Sequence, residues 1–414
     1  MRATIVIPSY WGRPSAEPLN LEDSVYDHPT PLDEPGTIER ALESIKVLEN
    51  RDFNVVVLAA ATNPEIAPEV EDRVAAIAAR FRDDFPVACL SHSFEDGIKI
   101  RLEQTGRSSD AEMVSLTGYS NIRNMCLVAA ELARSEVAVL FDDDEVYRDP
   151  GYLDKVFENI GRERDGRFVG AIAGYYLRPE GGYLLPPPTD WWMVEWPMVD
   201  SMNEAFGIIG EEPRLKVTPF VFGGNMCVHR DVFHRIPFDP NVRRGEDIDY
   251  LVNCSMFGTE FLLDNQLSIL HLPPEGHIPP WQHFRENVYR FIYARDKLSR
   301  QRPVDGLRLV DVGELDPYPG RCMKEDLEEL IFRTSVLIGL RCMQQGDEQG
   351  FVESMRNIYI ARHDAPPEFD TFQWYLDYQV RWEGLMGFLS EDSVLSDRLL
   401  GDMQGRGTVT SPQS

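Results

Sequence analysis

The apolar positions along this chain alternate between two periods, and each change of period predicts a change of element. Residues 3–7, 54–61 and 86–90 are short, largely apolar runs, as expected of strands buried on both faces. Between the first two, Ile38, Leu42, Ile45 and Leu48 recur at helical spacing behind Thr37, a residue suited to capping. A second helical pattern covers about 69–82. Strand, helix, strand, helix, strand is the order of a doubly wound parallel sheet, so the predicted class is α/β. The same reading predicts helices over 120–132, 151–161 and 245–256. It predicts strands over 137–141, 168–177, 226–229 and 261–270.

From Trp281 onward the pattern is helical, with amphipathic stretches over 327–343, 351–361 and 372–389. The predicted organisation is therefore a sheet domain over 1–280, a helical region over 281–400 and a disordered tail over 401–414. Residues 13–36, rich in Pro, Asp and Glu, read as a long surface loop that turns out of the first strand at Pro8. Residues 95–118 give no assignment.

One place combines a strand with unusual chemistry. The apolar run Val137, Ala138, Val139, Leu140, Phe141 is followed at once by Asp142, Asp143, Asp144 and Glu145. Four carboxylates at the carboxyl end of a central strand repel one another unless a cation lies among them. That edge is also where open α/β sheets bind ligands. A hard divalent cation with phosphate oxygens in its shell would relieve the repulsion; a solvated acidic turn is the alternative.

The net charge of −28, from 69 acidic and 41 basic residues, argues against nucleic acid as a partner. The six cysteines are scattered, contain no CxxC pair and read as reduced core residues. No apolar run is long enough to span a bilayer, and no signal-peptide pattern opens the chain, so a soluble, cytoplasmic protein is expected.

Three further motifs complete the pattern: Pro8-Ser9-Tyr10 after the first strand, Phe222-Gly223-Gly224, and Gly245-Glu246-Asp247 opening a helix. With Asp142-Asp143-Asp144 as an Asp-x-Asp motif, their order over about 3–275 resembles the GT-A glycosyltransferase superfamily, closest in style to family 2. That resemblance implies a GT-A fold with a Rossmann-like, mostly parallel sheet, and transfer of a single sugar from a nucleotide diphosphate sugar to a hydroxyl acceptor. It implies that Pro8, Ser9 and Tyr10 line the nucleotide pocket, with Tyr10 or Trp11 near the base. Asp142 would meet ribose or metal, Asp143 would lie with the donor, and Asp144 and His271 would ligate Mn²⁺ or Mg²⁺. Asp247 would be the general base and Glu246 would bind substrate hydroxyls, although acidic residues also complement a helix N-terminus.

Gly223 and Gly224 suit a close backbone approach to the donor sugar, or an ordinary turn. Arg123 and Asn124 at a helix start read either as phosphate or sugar contacts or as caps. Arg243 and Arg244 read as diphosphate or acidic-acceptor contacts or as a solvated turn. Trp191, Trp192 and Trp196 on a Pro-rich loop read as a sugar-stacking acceptor surface or as a packed interface.

The chain also departs from the family pattern. The second strand ends in Ala59, Ala60, Ala61, Thr62 and Asn63 rather than an acidic cluster, so no base preference carries over. Gln379, Val380, Arg381 and Trp382 fall one residue short of the processive synthase motif. A retaining or inverting outcome, a nucleotidyltransferase and a non-catalytic sugar-nucleotide binder remain as readings. The C-terminal helices are expected to shape the acceptor side or a homo-oligomer contact.

Overall fold

The computed structural model describes residues 1–17, 23, 24, 26–164, 166–274 and 278–405. Among these, ten strands form one sheet. Its main path runs Leu215–Val217, Phe261–His271, Ala171–Leu177, Met226–His229, Val137–Leu140, Ala3–Gly12, Phe53–Ala61, Val87–Leu90. Ala3–Gly12 is parallel to both its long neighbours, and Phe53–Ala61 is parallel to Val87–Leu90. Met226–His229 runs against the strands on either side of it. Reversal of that one strand has a functional consequence. It starts at the edge where the parallel strands end, so the Gly223-Gly224 turn arrives beside the acidic run.

Successive residues of the central strands face opposite sides, as the period of two requires. Val6, Val56, Leu58 and Leu140 point into one core, and Ile5, Val55, Val57 and Val139 into the other. Helices Ile38–Ile45, Ala67–Ala79 and Tyr152–Asn159 cover the second. Helices His92–Gln104, Tyr119–Leu132 and Glu246–Met256 cover the first.

The later helices Pro280–Ser299, Leu327–Gln344, Glu348–His363, Thr371–Glu391 and Ser393–Met403 pack into that first core as well. The Trp382 indole donates to the Phe233 carbonyl at 2.9 Å and the Tyr375 hydroxyl to that of Pro237 at 2.8 Å. The region after residue 280 therefore shares a core with the sheet. Among the described residues no helix is long and apolar enough to cross a membrane. All six cysteines are free thiols.

Several boundaries differ from the sequence expectation, each for a local reason. The first strand continues through Gly12 instead of turning at Pro8. Its pairing with Val137–Leu140 ends at Val6, so Pro8, which lacks an N–H, sits where that ladder has already stopped. The unassigned stretch holds the helix His92–Gln104 and a 3-10 turn at Ser108–Met113. Gly97 hid that helix, yet a Cβ there would lie 2.2 Å from the Arg398 guanidinium, so a distant contact explains the glycine. The last helix, capped by the Asp392 side chain, runs to Met403 into the expected tail, and 406–414 lie outside the described residues.

Candidate active site

A cleft of about 300 Å³ opens at the carboxyl edge of the parallel strands. Tyr10, the residues 142–144, Gly223, Glu246, Asp247 and His271 all reach its wall. The sequence motifs that lie up to 261 residues apart (10 to 271) are thus brought together.

The acidic run is largely compensated from within. Arg123 donates two hydrogen bonds to Asp142, at 2.7 and 3.0 Å, and a third to Glu246 at 3.2 Å. Part of the cation demanded by four adjacent carboxylates is therefore a guanidinium of this chain. Asp143 turns inward and accepts from the Ser9 hydroxyl at 2.7 Å. Burial pushes its carboxyl up to about 8, with the Asp144 charge adding and the Ser9 bond opposing. Glu145 is pushed well above the usual range by burial and then by Asp142 and Asp144, and its Oε1 has no partner. Burial also raises Asp144, but the bond from His271 and its charge outweigh this and hold the carboxyl below its ordinary value.

The two glycines are explained by the same side chains. A Cβ on Gly223 would lie 2.6 Å from Arg123, and one on Gly224 would lie 2.2 Å from Glu145 and 2.7 Å from Asp142. Close approach is required, and what approaches is this chain's own charged network. Gly245, at φ +74°, begins the Glu246–Met256 helix in the left-handed region, and a Cβ there would strike Arg290 at 2.1 Å. Beyond it, Asp247 is half-buried and its Oδ1 accepts from the Ile248 N–H at 2.8 Å.

Of the other expected site residues, only Arg244 reaches the cleft. Trp11, in the first strand, is fully buried and donates to Ser9, with Arg73 over its ring, and it does not line the cleft. Pro8 and Ser9 are buried in the strand and do not line the cleft. Asn124 exchanges hydrogen bonds with the Phe238 backbone and faces Tyr378, making it a packing residue. Arg244 lines the cleft and pairs with Asp27 at 3.1 Å, while Arg243 lies over Tyr289. None of the three indoles reaches the cleft wall. Trp196 is buried against Phe284 and Phe291, Trp192 is half-buried, and Trp191 is exposed.

The structure adds residues that no motif announced. Asp27 and His28 come from the loop after the first strand, Tyr119 from a helix start, Tyr176 from a strand end, and Arg290 and Tyr318 from the C-terminal region. Alternation of period cannot find such residues, because each is alone in its segment.

Asp144 Oδ2 and His271 Nε2 are 3.2 Å apart on the cleft wall. Among the described residues no group of three or more His, Cys, Asp or Glu is arranged to hold a metal, and Asp142 faces Arg123. This mixed carboxylate and imidazole pair is chemically suited to a divalent ion such as Mn²⁺, which would need further oxygen ligands from substrate or water. It does not fit an all-protein cage. Asp142, expected as a ligand or ribose contact, is an arginine partner here.

No family model matches the chain, and no curated protein matches it in sequence. Among solved structures it is similar to mannosyltransferase PcManGT from Pyrobaculum calidifontis in complex with GDP-Man and Mn²⁺. The identity is 13%, over 98% of this chain and 88% of that one, with a TM-score of 0.43. It is also similar to GalNAc-T7 with UDP, GalNAc and Mn²⁺, at 11% identity and a TM-score of 0.39. That match covers 88% of this chain and 58% of the other. Both likenesses are distant, and the α/β architecture is established by the strand order and register themselves.

Proposed function

We propose that the cleft transfers one sugar from a nucleotide diphosphate sugar to a hydroxyl acceptor. One observation carries this reading: Asp247, the Asp144–His271 pair and the Gly223 turn face a single cleft at the carboxyl edge of the sheet. Asp144 and His271 would hold a divalent cation, which when bound supplies positive charge to the departing diphosphate.

The chain's own residues do the rest. Asp247 receives the proton of the acceptor hydroxyl as that oxygen bonds to the anomeric carbon. The bond from the same carbon to the diphosphate breaks, and its electron pair leaves with the phosphate. Arg123 bonds both Glu246 and Asp142, tying the helix that carries Asp247 to the end of the acidic strand. Tyr10, Phe206 and Phe222 supply apolar walls that limit water.

Melting temperature against UDP, GDP, ADP, CDP and dTDP, each with and without Mn²⁺, tests the donor side. A ligand at about a hundred times its dissociation constant adds roughly 2.7 kcal/mol, which is readable. Stabilisation by one diphosphate only with Mn²⁺ is the expected result; none from any of the five overturns the reading. Asp247→Asn should then lower transfer by about 10²–10⁴-fold while nucleotide binding persists. Full activity in that variant removes Asp247 from the mechanism.

A further inference from the structure

Among the described residues three arginines reach the cleft, and two of them are paired. Arg123 is bound to Asp142 and Glu246, and Arg244 to Asp27. Arg290 is different. It projects from the Pro280–Ser299 helix, half-buried, and among the described residues no carboxylate forms an ion pair with it. Its guanidinium is packed onto the backbone of Gly245, which has no side chain to obstruct it, and lies 5.0 Å from the Phe291 ring centre and 5.7 Å from that of Tyr318. Asp247 is a neighbouring charge but not a bonded partner.

Burial opposes this charge, but Tyr318 and the nearby Asp247 outweigh it and keep the guanidinium cationic, with no ion pair among the described residues closing its donors. It stands out in a chain with 69 acidic residues available to neutralise it. The planar fork suits a carboxylate or phosphate, which it can hold by two hydrogen bonds. Its place beside Gly245 and Asp247 would put that anion next to the acceptor hydroxyl that Asp247 is proposed to deprotonate.

We propose that Arg290, backed by Tyr318, is an anion subsite for the acceptor, which is a small hydroxy compound carrying a carboxylate or phosphate near its reacting hydroxyl. This rests on the glycosyl-transfer reading of the same cleft. The two are separable, because binding at Arg290 can be measured without turnover.

Matched probes test it: glycerate against glycerol, and glucose 6-phosphate against glucose. Titration calorimetry with the full chain, in the presence of Mn²⁺ and the stabilising diphosphate, should detect an anionic member of at least one pair and bind its neutral counterpart at least tenfold more weakly. Arg290→Gln should weaken that anion by roughly 10- to 100-fold, the worth of a charge-assisted bond, while the thermal shift from the nucleotide diphosphate is retained. Arg290→Lys, which keeps the charge but loses the fork, should fall between. Tyr318→Phe provides a second, milder variant should the substitutions at Arg290 prevent folding, and should weaken the anion severalfold.

Equal binding of the charged and neutral members, or of neither, overturns the subsite even if transfer to another acceptor is found. Loss of the nucleotide shift in Arg290→Gln also overturns it, by assigning the arginine to the donor. An Arg290-dependent anion with no transfer from any donor leaves the anion site standing and removes the transferase reading.

Discussion

Replacing Arg123 by methionine would separate an internally neutralised acidic run from one that waits for metal. The arginine side chain is 5% exposed, that of Glu246 8% and that of Asp142 23%. Methionine keeps much of the volume and removes the charge, leaving Asp142 beside Glu145 and Glu246 beside Asp247 without their counter-ion. Breaking a buried pair from one side costs about 3–5 kcal/mol, and the partial exposure of Asp142 favours the lower end, ~3 kcal/mol. With about 2.1 cal/mol/K of unfolding entropy per residue over 414 residues, this lowers Tm by roughly 3–4 °C. Urea denaturation in EDTA, followed by tryptophan fluorescence, measures the loss. Mn²⁺ should restore part of it and bind the variant more tightly than the parent, because Asp142 is then released to join Asp144 and His271. Equal stability of the two proteins in EDTA refutes the ion-pair account. Unchanged or weaker Mn²⁺ binding refutes the idea that only Arg123 keeps Asp142 from the metal.

Two other perturbations probe the supports of the cleft. Lys297 is 1% exposed and is held between Asp239 at 3.0 Å and Asp249 at 2.6 Å, tying the Pro280–Ser299 helix to the one that carries Asp247. Lys297→Met should cost about 4 kcal/mol and roughly 5 °C in Tm, and adding Asp239→Asn and Asp249→Asn should recover much of it; a loss under about 1 kcal/mol in the single variant contradicts this. His283 is pushed down to about 4 by burial and then by the charges of Arg244 and Arg290, with Asp27 opposing and His28 adding to the depression. Below its unfolded value of about 6.5 the unfolded chain takes up a proton that the folded one refuses, so stability falls with acidity between about 6.5 and 4, by at most ~1.4 kcal/mol per pH unit. His283→Gln should flatten that window in denaturation curves at pH 7 and 5, whereas an unchanged slope would place the effect on other groups.

The difference between what could and could not be read from the sequence is a difference in the range of the interaction. The strands were legible because their apolar runs depend on burial alone, and the acidic edge was legible because the carboxylates directly follow one of them. Arg123 was conspicuous at its helix start, but its partners lie 19 and 123 residues away, so it read as a phosphate or sugar contact or a cap, and its pairing with Asp142 and Glu246 was not legible. The glycine pair read as a close approach to the donor sugar or an ordinary turn, and only the tertiary fold shows that this chain's own charged side chains crowd it. The three indoles drew attention through composition, yet the cleft takes none of them, because Trp196 is more favourably placed against Phe284 and Phe291. Arg290 had no local signal at all. Its importance follows from subtraction: once Arg123 is assigned to Asp142 and Glu246, and Arg244 to Asp27, it is the arginine on the cleft wall without a described carboxylate partner. A cleft whose internal charges are this fully matched leaves its ligand chemistry to the groups that are not. Among the described residues those are Asp247, with no cationic side chain bonded to it, and Arg290, with no carboxylate paired to it, while Asp144 and His271 are matched to each other and are the pair proposed to open to a cation.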